Sequence, residues 1–142
     1  FMTTARLVLA AVGLGVGRRA LAEAFDSVRG TRGRGAGGEQ TVQGLLADAA
    51  TALEAARMLA WTSAAGEPPS LGQASMAKLA ATEAAQGAVA YAAQVLGAAS
   101  FAKGHVLTRL ASEVRALEVF GGRTETLREA VALELWPQGP TA

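Results

Sequence analysis

Three arginines set among glycine and threonine, Arg29-Gly30-Thr31-Arg32-Gly33-Arg34-Gly35, form the densest concentration of potential chemistry in this 142-residue chain. Guanidinium groups on flexible backbone, with free N–H groups beside them, can cradle a phosphate through charge-assisted hydrogen bonds and oriented amide dipoles. For an arbitrary protein a solvated basic turn is the simpler account, and both readings stay open at this point. A single-strand nucleic-acid binder would want interleaved aromatic residues, which this loop lacks. His105 is the only histidine, and no acidic partner at useful spacing marks it as a general base, so an ordinary exposed or interface histidine is expected. Cysteine is absent, which excludes disulfides, thiolate metal sites and cysteine nucleophiles. One histidine cannot make a His-rich cluster either, so no metal site is expected. Gly13-Leu14-Gly15-Val16-Gly17 resembles a dinucleotide fingerprint but has Arg18 at the sixth position, and no strand precedes it. Small residues for helix packing are the better reading.

The elements that must position these residues follow from composition and periodicity. Apolar residues make up 51% of the chain, ample for one core, and the net charge of +1 exerts no global pull toward nucleic acid. The apolar run Leu7–Val16 is followed by Arg18 and Arg19, the reverse of a signal peptide. It is also far short of the ~20 residues a membrane span needs. Leu7, Leu14, Leu21 and Val28 recur in helical phase, so a buried helix of a cytoplasmic protein is expected.

That helix is expected from about Thr4 to Arg29, with a glycine-rich loop from Gly30 to Gly38. A second, from about Gln40 to Ala64, carries Val42, Leu45, Ala49, Leu53, Ala56 and Leu59 or Ala60 on one stripe. Gly66 and Pro68-Pro69 stop it. Ser70 and Gln73 form a capping box for a third helix that reaches Leu96, with Gly97 as its C-terminal cap. Shorter helices are expected over Val106–Val119 and Thr124–Leu135, before Pro137 and Pro140. No segment alternates with period two. The fold class is therefore all-α, with long helices joined by short loops into an up-and-down antiparallel four-helix bundle over residues 1–137, and a disordered tail over 138–142.

The segment from Gln94-Val95-Leu96-Gly97 to Val119-Phe120-Gly121-Gly122-Arg123-Thr124-Glu125 resembles the C-terminal helical domain of the flavin-dependent acyl-CoA dehydrogenases. Family sequences read roughly QxLGGxGY, then about twenty residues, then IYEGTSEIQ, and the two ends fall into register without insertion. The resemblance covers essentially the whole chain but only the last of that family's three domains. Phe1 ahead of Met2 is odd for a natural start, and either a fragment of a longer protein or an added residue accounts for it. The resemblance implies FAD as cofactor, acyl-CoA as substrate class, and homo- or hetero-oligomers with similar subunits; neither nucleic acid nor a membrane is an expected partner.

It also implies roles residue by residue. Arg29 and Thr31 match the loop whose arginine reaches the FAD pyrophosphate of a neighbouring subunit, with Arg32 replacing a phenylalanine. Gln94 and Gly97 match residues at the FAD adenosine half, with Ala98 replacing a glycine. Arg123 replaces a threonine that hydrogen-bonds the flavin. Arg6 matches an arginine at the CoA part of the substrate, although a charge on an exposed first turn accounts for it as well. The catalytic glutamate is replaced by Gly121, and the alternative base position of some relatives by Ala5. Glu118 and Glu125 are each displaced by about a turn. No catalytic residue is therefore expected, and the resemblance implies a base-lacking homologue or subunit. A free-standing bundle without flavin, and an active dehydrogenase or oxidase with a relocated base, are the alternatives.

Overall fold

A computed structural model describes residues 1–31, 39–66 and 68–136. The helices are α1 (Met2–Thr31), α2 (Glu39–Ala65), α3 (Leu71–Leu96), α4 (Val106–Val119) and α5 (Thr124–Leu135), with a short 3-10 turn at Gly97–Phe101. The expected elements are all present, and no strand occurs among the described residues. The boundaries shift in α1, which starts two residues earlier and carries through Gly30 and Thr31, and in α2, which is one residue longer at each end. The arginine loop beyond it, Arg32 to Gly38, and the expected tail at 138–142 lie outside the described residues.

Helix α3 forms the centre because alanine faces nearly every neighbour. Ala74, Ala77, Ala81 and Ala85 are wholly buried, and methyl-sized side chains let helix axes approach closely. A Cβ added at Gly17 would stand 3.1 Å from Ala85 Cα, and one at Gly13 would stand 3.4 Å from the Ala81 carbonyl oxygen. Packing thus explains two of the three glycines in the Gly13–Gly17 run, while Gly15 faces open space. The stripe expected on α2 is the buried one at Ala49, Leu53, Ala56 and Ala60, with Leu46 added below it.

Contacts along α3 give the direction of each neighbour. Arg6 meets Ser75 and Gly17 meets Ala85, so α1 runs parallel to α3. Ser63 of α2 reaches the Gln73 carbonyl, so α2 runs the other way. Thr108 lies at Ser100 and Glu118 at Gln86, while Arg128 lies at Glu83 and Glu134 at Gly72. Helices α4 and α5 therefore run in tandem, antiparallel to α3, as one fourth column broken between Phe120 and Arg123. Gly121 and Gly122 make that break with φ of 73° and 115°, backbone that other residues rarely adopt.

The caps are partly as expected. Ser70 Oγ accepts the Gln73 N–H at 2.9 Å, and Gly97, at φ 60°, closes α3 through its N–H to the Ala93 carbonyl. The reciprocal half of the capping box is supplied differently: Glu134 of α5, not Gln73, accepts the Ser70 hydroxyl at 2.8 Å and the Gly72 N–H at 2.9 Å. His105 is the N-cap of α4, its Nδ1 accepting the Leu107 N–H at 3.2 Å. The one histidine thus has a capping role in the fold.

Candidate functional site

The break in the fourth column builds the site. Its two carbonyls point into the bundle, where the Arg6 Nε donates to the Gly121 oxygen at 3.2 Å and the Lys78 Nζ donates to the Gly122 oxygen at 3.2 Å. A second Arg6 nitrogen donates to Ser75 Oγ. Arg6 is 5% exposed and Lys78 only 1%. Neither takes part in an ion pair among the described residues. Burial, reinforced by the Arg6 charge and opposed by Glu118, holds the Lys78 ammonium below the usual lysine range. Arg6 is thus no exposed first-turn charge, because the turn carbonyls and Ser75 draw it into the bundle.

Lys78 was not singled out from the sequence. The available signal was a lysine lying on the apolar stripe of Ala74, Ala77, Ala81 and Ala85, where a cation needs an acceptor. The acceptor comes from residue 122, which adjacent sequence does not indicate.

On the outer side of the same turn lies an open groove of about 680 Å³, walled by Ala5, Val8, Leu9, Phe120, Gly121 and Gly122. Ala5 and Gly121, the two residues matched to base positions of similar proteins, are therefore brought to one groove, and among the described residues no acidic or histidine side chain lines it. Leu9 takes part of the space in front of Gly121, since a Cβ built there would fall on the leucine Cδ1. Glu118 is occupied elsewhere, accepting from Gln86 and from Arg115 at 3.1 Å. Glu125 is exposed in the first turn of α5. Arg123 occupies the N-cap position of α5 without making a side-chain cap bond, exposed beside the groove. A second groove, of about 550 Å³ between α2 and α3, holds none of the expected site residues.

The remaining expected residues gather at the opposite end. The parallel register of α1 and α3 brings Arg29 to the end of the bundle that carries Gln94 and Gly97, all three exposed. Thr31 closes α1 at that end. The Arg29 guanidinium lies 3.5 Å from Asp26, and both are largely exposed, a weak pair that leaves the cation available. At 1.5 Å per residue, Arg6 and Arg29 are about 35 Å apart along α1. The candidate residues thus form two sites, one at each end.

The model of the acyl-CoA dehydrogenase C-terminal domain matches residues 1–135. The chain belongs to the acyl-CoA dehydrogenase family. It is 35% identical over 136 residues to the mitochondrial short-chain specific acyl-CoA dehydrogenase of Bos taurus, covering 92% of this chain and 33% of the relative. It is 36% identical over 131 residues to the 3-sulfinopropanoyl-CoA desulfinase of Paraburkholderia xenovorans, covering 89% and 34%. Among solved structures, a glutaryl-coenzyme A dehydrogenase in complex with glutaryl-CoA superposes with a TM-score of 0.88 at 28% identity, over 96% of this chain and 36% of the other. The chain spans about a third of the length of these relatives. The helical architecture is that of this family's C-terminal domain. Among the described residues no helix is long and apolar enough to cross a membrane.

Proposed function

We propose that this chain is the C-terminal domain of an FAD-dependent acyl-CoA dehydrogenase-like protein, serving oligomer packing and the adenosine–pyrophosphate end of FAD without supplying the base. One observation carries the reading. The two positions where the family places its proton acceptor share a single groove, and both lack an ionisable side chain. Removal of an α-proton from a thioester needs a base within hydrogen-bond reach. Lys78 does not meet that need, because its Nζ is held on the Gly122 carbonyl behind the turn and the residue does not line the groove.

The far end fits the FAD role in kind. Exposed Arg29, with only a weak partner, suits a pyrophosphate. Gly97, at positive φ and free of neighbours, leaves room for the adenosine half, and Gln94 beside it offers donors and an acceptor. FAD, when bound, supplies the hydride acceptor for the β-carbon. Arg123 borders the groove, where it meets the flavin's reacting half, and Arg6 behind the turn supports the CoA-thioester end. With the two ends about 35 Å apart, one copy presents them to different FAD molecules, as in an oligomer of such subunits.

The test is anaerobic addition of FAD and butyryl-CoA to the purified chain, following the flavin band. The expected outcome is no bleaching by the chain alone. Bleaching at an appreciable rate overturns the base-lacking reading in favour of a relocated base. Failure to retain flavin even when combined with a competent partner subunit favours a free-standing bundle.

A further inference from the structure

We propose that the groove before the Gly121–Gly122 turn selects CoA thioesters whose acyl group carries its own anion, such as a carboxylate, over neutral acyl groups of equal length. The inference rests on the reading of this groove as the acyl site. Its basis is a local charge imbalance. Arg6 and Lys78 are buried directly behind the turn, and Arg123 follows it in sequence, so two buried cations and one exposed one stand next to Gly121 and Gly122. None of the three takes part in an ion pair among the described residues. The carbonyls of Gly121 and Gly122 accept hydrogen bonds from two of them, but a carbonyl is a dipole and cancels no net charge. Glu118, the nearest acid felt by Lys78, already serves Arg115 and Gln86. Glu125 stands exposed on α5.

Among the described residues no acidic side chain lines the groove in front, and its walls are almost wholly apolar. Buried charges are screened far less by salt than exposed ones, and low-dielectric walls focus their field. A side-chain carboxylate at position 121 would offset that field, and glycine there cannot. An anionic acyl end placed in the groove would supply that compensating charge next to the turn.

Titration of the 142-residue chain with succinyl-CoA and with butyryl-CoA, by calorimetry at low salt, tests this. The CoA moiety is common to both, so the ratio of affinities reports the acyl carboxylate alone. Succinyl-CoA is expected to bind roughly tenfold tighter, with the preference shrinking as salt is added. Lys78→Met and, separately, Arg123→Thr are each expected to cut the ratio roughly threefold. Arg109→Gln, on the exposed face of α4, should leave it unchanged. Arg123 is exposed, so its variant remains informative if Lys78→Met fails to fold. Equal affinities, or tighter butyryl-CoA, overturn the charge selection while leaving the groove as an acyl site. Binding of neither thioester overturns both readings.

Discussion

At the scale of single residues, Lys78 is the least expected feature of the chain. A buried ammonium with a carbonyl for a partner pays a desolvation cost that the hydrogen bond only partly offsets. Its pKa in the folded protein lies below the ordinary value of 10.5. Between those two values the folded state has released a proton that the unfolded chain still holds, so stability rises with pH through that window. Denaturation profiles recorded just below pH 10.5 should therefore slope upward for the native sequence. Lys78→Met should flatten that slope, whatever its effect on stability at pH 7. An unchanged slope in the variant would show that the lysine is not the titrating group.

At the scale of helices, two glycines two residues apart in α1 have opposite structural meaning. Gly17 touches the α3 backbone at Ala85, so Gly17→Ala should destabilise by about 1–3 kcal/mol through overpacking. Gly15 faces open space, so Gly15→Ala should stabilise by about 0.5–1 kcal/mol through helix propensity alone. Urea denaturation of the two variants decides the matter, and effects of the same sign would contradict the packing described. The start of α3 offers a third case. Glu134 closes it across the bundle from α5, so Glu134→Ala should cost about 1 kcal/mol and loosen α5, read as faster amide exchange there.

For the whole molecule, the distribution of exposed apolar side chains is informative. Val8 and Val12 on α1, Met58 and Trp61 on α2, and Phe120 and Trp136 near α5 are all substantially exposed. Where such side chains form a contiguous patch, they mark a surface that meets other protein. Sedimentation of the chain over a wide concentration range should show reversible association, and a monomer at every concentration would count against the oligomeric part of the proposed function.

The helical class, the five segments and most of their limits were legible from the sequence, because helix periodicity, proline breaks and glycine caps are local properties of the chain. That Ala5 and Gly121 carry no ionisable side chain was legible too, since it depends only on which residue stands at each position. What needed the tertiary structure was every relation across the bundle. Glu134 rather than Gln73 completes the α3 cap, Arg6 is buried, Lys78 meets residue 122, and positions 5 and 121 share one groove. Each of these joins residues far apart in sequence, and only the packing of α1, α3 and the broken fourth column brings them within hydrogen-bond reach.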